Sequence, residues 1–192
     1  MLFYIGSGIL GAIAIYCLRG MKKAYDKEQV LPLHVSVAIW ILDTVHLLLV
    51  LLASVQGILA LAFNKTIALM GGVVMAGVGI VIMLAGMIEF RSFRRMSGLD
   101  TSKIVTNGIY RYSRNPQYFG WFLMLLGISL MGRSGLAFIL TIVLITGIHL
   151  YNIWLEEPYL KRIFGEEYLR YKSNTPGYIG ILKKKQNGPH VA

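Results

Sequence analysis

The sequence predicts an all-α integral membrane protein: about five transmembrane helices, then a C-terminal amphipathic helix at the interface, and no Rossmann domain. Three observations carry that prediction. Of 192 residues, 56% are hydrophobic and only 15% charged, against about a quarter charged in a soluble domain. The apolar residues fall in runs long enough to cross a bilayer, which takes about 20 residues within a range of roughly 17 to 25. The basic residues fall in alternate gaps between those runs. The chain length suits one domain.

The first run, Leu2 to Leu18, is uncharged and just long enough. Positive charge follows it at Arg19, Lys22, Lys23 and Lys27, the reverse of a secretory signal peptide. Leu33 to Phe63 has Asp43 as its sole charge. It is too long for one upright span and too short for two, so it reads as one tilted or continued helix, with Gln56-Gly57 the candidate break. Ile67 to Ile88 and Ser134 to Leu155 are clear spans; Pro116 to Gly132 is shorter but uncharged. Asn115 is a natural N-cap ahead of Pro116, and a proline at the first helical position loses no needed N–H. Leu160, Ile163, Phe164, Tyr168 and Tyr171 then recur at helical spacing between Lys161, Arg162, Glu166 and Arg170. That pattern predicts an amphipathic helix on the membrane surface. From Lys183 onward the chain reads as a loose basic tail.

Charge placement orients the spans. Arg19 to Gln29 holds four basic residues, Arg91 to Arg114 six and the tail seven, leaving Lys65 and Arg133 for the other side. The positive-inside rule then puts the N-terminus outside and the C-terminus in the cytoplasm, with the chemistry expected near the cytoplasmic face. The net charge of +10 points to an anionic lipid surface as neighbour. Nucleic acid is not an expected partner, because the chain has little to build a soluble binding surface from. Cys17 stands alone, so neither an intramolecular disulfide nor a cysteine zinc site is expected, and it reads as a small core residue. No metal is expected.

Polar groups inside spans are costly and mark the bundle interior or a site. Thr146, His149, Asn152 and Glu156 follow helical spacing as one stripe, which suits interhelical hydrogen bonds or substrate contact. Asp43 and His46 share a face, as a structural pair or as substrate contacts. Glu89 ends the third run beside Arg91, where an interfacial ion pair is the default. Glu156 and Glu157 are adjacent carboxylates that need a cation or a ligand. Glu89 and Glu156 are the candidate bases. Gly72, Gly79 and Gly86 recur every seven residues, and Gly77 completes a Gly-Val-Gly. Such small residues allow either close helix packing or close approach of a ligand. The densest cluster, Lys103 to Tyr118, joins a turn at Asn107-Gly108 to aromatics, Arg111, Arg114 and a helix N-terminus that suits a carboxylate.

At this cluster the sequence resembles the membrane methyltransferase superfamily that includes isoprenylcysteine carboxyl methyltransferase and phosphatidylethanolamine N-methyltransferase. The matching residues are Ile104 to Tyr110, Arg114 to Tyr118 with Gly120, Glu156-Glu157, Phe164 to Tyr168, and Tyr171. The resemblance implies that residues 1–192 form a single membrane methyltransferase domain, with S-adenosylmethionine held mainly within residues 100–172. Carried over by position, Lys103, Ile104, Val105 and Tyr110 line the cofactor pocket. Asn115, Pro116, Gln117 and Tyr118 hold its amino-acid part, and Glu156 and Glu157 face its ribose or ammonium. Gly77 and Gly79 match the glycine motif of the phospholipid branch and are counted with the candidate cofactor contacts. Asp43, His46, His149 and Asn152 are the candidate substrate contacts.

Details of the match bear on the acceptor. The isoprenylcysteine branch usually has His-Pro at Asn115-Pro116, and a substrate-contacting arginine at Asn152. Asn115-Pro116, Glu156-Glu157-Pro158 and Gly77-Val78-Gly79 resemble the phosphatidylethanolamine branch, whereas Phe164 to Tyr168 resembles the carboxyl methyltransferases. The expected reaction is N-methylation of an amine-bearing phospholipid. The alternative is carboxyl methylation of an isoprenylcysteine or another isoprenoid acid. An NADPH-dependent sterol or isoprenoid reductase resembles the chain around Asn115-Pro116 but is generally larger. A membrane adaptor would not need the polar cluster.

Overall fold

The computed structural model describes residues 2–178; the predicted basic tail from Lys183 lies outside them. The helices are α1 (Leu2–Asp26), α2 (Leu33–Gln56), α3 (Lys65–Glu89), a one-turn α4 (Phe93–Met96), α5 (Pro116–Met131), α6 (Gly135–Tyr151) and α7 (Glu157–Asn174). A 3₁₀ turn spans Gly108–Arg111, and a π-helical turn, Asn152–Glu156, joins α6 to α7. The described residues contain no β-strand, only an isolated bridge between Ala60 and Ser134. The all-α expectation holds, and the described residues form no Rossmann domain. Three segments are long and apolar enough to cross a membrane: α2, α3, and α6 with its continuation, at mean hydropathies of 2.3, 2.5 and 2.0. α5 is a shorter apolar helix. Outward side chains such as Val55, Ile67 and Ile88 are exposed, as expected where lipid is the solvent.

The long second run resolves at its candidate break. α2 stops at Gln56, and Gly57 turns into the left-handed region with φ 58°, its N–H closing on the carbonyls of Ala53 and Ser54. The following residues clip onto the α5–α6 turn. Leu61 N–H donates to the Arg133 carbonyl at 2.8 Å, and Gly135 N–H to that of Leu59 at 3.0 Å.

Two cores hold the bundle. One joins Val50 and Ala53 of α2 to Ala76 of α3, Met124 and Leu125 of α5, and Ala137 of α6. The other gathers Cys17, Met21 and Tyr25 of α1 with Val35 and Ala38 of α2 and Tyr159 of α7. Cys17 is buried there, in the core role the sequence predicts. α3 and α5 meet backbone to backbone. A Cβ on Gly72 would lie 2.7 Å from the Gly127 carbonyl oxygen, and one on Gly79 would lie 2.6 Å from that of Gly120. Neither seam glycine has room for a methyl group.

α7 is bent. At Gly165 the backbone leaves the helix with φ 52° and ψ −127°, a conformation that is essentially glycine's alone. The bend has a visible result. Residues 157 and 172 would be about 22 Å apart in a straight helix, yet Lys172 Nζ lies 2.6 Å from Glu157. The predicted C-terminal helix is therefore doubled back on itself.

Candidate active site

The two adjacent glutamates have different surroundings. Glu157 is held by Arg114 from the loop ahead of α5 and by Lys172 from the end of α7. Burial pushes its carboxyl up, but hydrogen bonds and charge from Lys172 and Arg114 outweigh this and leave it below the usual range. Glu156 has no cation within ion-pair distance among the described residues, and its Oε2 is buried without a hydrogen-bond partner. It lies within charge-interaction range of the phenols of Tyr25, Tyr110, Tyr118 and Tyr151. Tyr25 and Tyr151, 126 residues apart, bring their hydroxyls to 2.9 Å. Tyr25 also stacks on Tyr159, with ring centroids 4.1 Å apart.

The π turn explains the contrast. A π turn carries an extra residue relative to an α turn, so it shifts the phase of everything after it. The predicted stripe assumes one α period from Thr146 to Glu156. In the structure Thr146 and His149 are exposed, Asn152 is buried, and Glu156 sits among the tyrosines. The single stripe is thus corrected to two faces. Asn152 donates from Nδ2 to the Tyr178 hydroxyl at 3.4 Å, and His149 Nδ1 lies 3.5 Å from the same oxygen.

The Lys103 to Tyr118 cluster is assembled around this end. Ile104 and Tyr110 are buried, Val105 is half-buried, and Lys103 is exposed. Tyr110 meets Phe90 edge to face and accepts at its carbonyl from the Tyr171 hydroxyl at 2.8 Å. Burial, with Tyr171, Glu156 and Glu89 adding to it, pushes the Tyr110 phenol up, so it stays neutral at physiological pH. Tyr168 is pushed up to about 12, by burial first and Glu157 second, and accepts from Arg114 at 3.1 Å. Pro116 opens α5 as expected. Asn115, however, makes no side-chain cap; its amide donates instead to the Gly177 carbonyl at 3.0 Å. Pro176 to Tyr178 therefore lie against the start of α5. Gln117 packs over Gly86, and its Nε2 is buried without a partner. Of the seven buried side-chain polar atoms without a partner among the described residues, three belong to Arg114, Gln117 and Glu156. Such atoms are uncommon and need an explanation; these three lie at one end of the bundle, while the other four belong to His46, Ser54, Arg95 and Trp121.

Other predicted residues stand elsewhere. Gly79 is filled by the α5 backbone, and Gly77 faces open space on the outer surface; packing accounts for the repeat. Glu89 forms no ion pair with Arg91. Its carboxylate rests against Gly108, whose φ of 55° and lack of a Cβ both suit the contact. Asp43 and His46 do not pair. The His46 ring bonds the Leu140 carbonyl at 3.1 Å, tying α2 to α6, while Asp43 is half-buried within charge-interaction range of Tyr118. Sequence reasoning missed Tyr25, Tyr151 and Tyr178. Tyr25 and Tyr178 come from other segments, with no spacing that ties them to Glu156. Tyr151, five residues before Glu156, is off the α-helical stripe and is brought to the site by the π turn. Only their aromatic character near the ends of runs was available as a signal.

Fold and site together define a polytopic, all-helical membrane protein with a polar, tyrosine-rich site at one end of its bundle. The chain belongs to the phospholipid methyltransferase family, which it matches over residues 67–167. It is also similar to curated relatives named protein-S-isoprenylcysteine O-methyltransferase. The Homo sapiens protein is 33% identical over 95 residues, covering 44% of this chain and 30% of the relative. The Mus musculus protein is 32% identical over 84 residues, with the same coverage. The Dictyostelium discoideum protein is 35% identical over 83 residues, covering 43% of this chain and 35% of the relative. The chain thus spans about a third of the length of these relatives. No solved structure matches it.

Proposed function

We propose that this protein is an S-adenosylmethionine-dependent methyltransferase acting on a membrane-held acceptor, with the cofactor at the Glu156 end of the bundle. The carrying observation is Glu156 itself: a buried carboxylate oxygen with no partner, among neutral phenols. The residues fit the cofactor. A ligand with a sulfonium and an ammonium calls for a carboxylate and aromatic faces together, and Glu156, Tyr110 and Tyr118 supply both. The bound cofactor contributes a methyl group on a positively charged sulfur.

The chain's own residues do the rest. Glu156 balances positive charge in a place shielded from water, where an electrostatic contact is worth more than in solvent. Arg114 and Lys172 keep Glu157 ionised and occupied, which leaves Glu156 as the free carboxylate. The Tyr171–Tyr110 bond fixes the loop beside it. The surrounding apolar helices exclude water and help align the reactants. The positive-inside pattern supports a cytoplasmic position for this end.

The names of the relatives favour a carboxylate acceptor of the isoprenylcysteine type, which displaces the amine expected from sequence. A carboxylate also needs no base to become a nucleophile. One observation favours the amine phospholipid as a second reading. Asn152 is buried and neutral, so it offers no charge to a carboxylate.

Two measurements test these readings. S-adenosylhomocysteine should raise the melting temperature of the purified protein, and Glu156→Gln should weaken its binding at least tenfold while leaving the unliganded protein as stable or more so. Absence of any shift in the wild type sinks the methyltransferase reading. For the acceptor, labelled methyl transferred to membrane components should be released by mild base as an ester; base-stable label selects the amine.

A further inference from the structure

A groove of about 370 Å³ lies on the outer surface between α1 and α2. It shares no residue with the Glu156 site. α1 provides Ala12, Ile15 and Tyr16 at one level and Arg19 and Lys23 at the next, with His34 across from them on α2. Arg19 and Lys23 are four apart and so lie on one helix face. Ala12 and Lys23 are separated by about 16 Å along the axis, enough to pass from the acyl region into the headgroup region. The Tyr16 and His34 rings, with centroids 6.4 Å apart, stand on either side. At the floor the helices touch, since a Cβ on Gly20 would lie 2.6 Å from Val35.

The surrounding cations are differently engaged. Lys22 pairs with Asp26 at 2.7 Å, and Arg162 lies 3.8 Å from Glu28 while donating to the Tyr25 carbonyl. Among the described residues neither Arg19 nor Lys23 has a carboxylate within ion-pair distance. Both are exposed. An apolar trough that ends in two unengaged cations has the polarity of one molecule: a phospholipid with net negative charge. We propose that this groove binds a single anionic phospholipid, its acyl chain along Ala12, Ile15 and Tyr16 and its phosphate between Arg19 and Lys23. A zwitterionic lipid carries its own ammonium beside the phosphate, and the two side chains repel it.

Native mass spectrometry of the full-length protein in mild detergent, titrated with phosphatidylglycerol or phosphatidylcholine, tests the site. Phosphatidylglycerol should be retained at least tenfold better. Arg19→Gln/Lys23→Gln should remove that preference, Lys23→Gln alone should give an intermediate loss, and Lys161→Gln/Arg170→Gln should leave it intact. Millimolar inorganic phosphate should not displace the lipid. Equal retention of the two lipids, an unchanged double variant, or full displacement by phosphate would each overturn the proposal. The readout uses neither cofactor nor acceptor, so its failure is separate from failure of the methyltransferase reading.

Discussion

The α3–α5 seam and the Glu156 end of the bundle are built on opposite terms. In the seam, backbone meets backbone and neither Gly72 nor Gly79 has room for a methyl group. At the Glu156 end, a carboxylate oxygen and an amide nitrogen are buried without partners. Close packing stabilises a membrane bundle, where burial of apolar surface gives little between helices. Unmet polar atoms cost stability, and a buried carboxylate oxygen is the costliest kind to leave unpaired, so Glu156 is the physical mark of a region shaped for something other than stability. The seam provides rigidity, and the site draws on it.

The sharpest way to break that contrast is to overpack the seam. Gly79→Leu forces the helices apart and should cost more than about 3 kcal/mol, seen as loss of folded protein in a detergent melt. Gly77→Leu, two residues away on the open face, should change stability by less than about 0.5 kcal/mol. Equal effects would mean that α3 does not pack as described.

The brace around Glu157 comes next. Arg114→Met should cost about 2 kcal/mol by leaving a partly buried carboxylate short of a charged hydrogen bond. Because the folded carboxyl titrates below its ordinary value near 4.5, its contribution is complete above that value and fades as the pH falls through the lowered one. Glu157→Gln should therefore flatten the fall of melting temperature in acid below pH 4.5, with little difference in slope at neutral pH.

Gly165→Ala should cost about 1–2 kcal/mol through backbone strain. It should also release Lys172 from Glu157, so that adding Lys172→Met costs almost nothing more; an additive double variant would contradict the doubled-back α7. The smallest effect belongs to Tyr171→Phe, which removes one hydrogen bond to the Tyr110 carbonyl for about 1 kcal/mol.

Hydropathy made the bundle legible because each run declares its own length. Gly57 ended α2 where Gln56-Gly57 marked a break, and Pro116 opened α5 where proline fits. The site was legible where its residues are neighbours in sequence, as in the stretch from Ile104 to Tyr118. It was not legible where contacts are distant. Nothing near Asn115 announces that Gly177 will take its amide, and nothing near Glu157 announces Lys172. The glycine repeat was visible, but its pattern alone could not choose between packing and a ligand; the facing Gly120 and Gly127 decide it.

The π turn at Asn152–Glu156 has a consequence for how this helix tolerates change. It acts as a one-residue insertion that resets the angular frame, so α6 keeps one side-chain frame against lipid while the residues after it follow another. Deleting Ile153 would merge the two frames and swing Glu156 by roughly 100° about the axis, without altering the residue itself. Every point substitution around the turn leaves the frame as it is. The position of the carboxylate is thus encoded in the count of residues as much as in their identity.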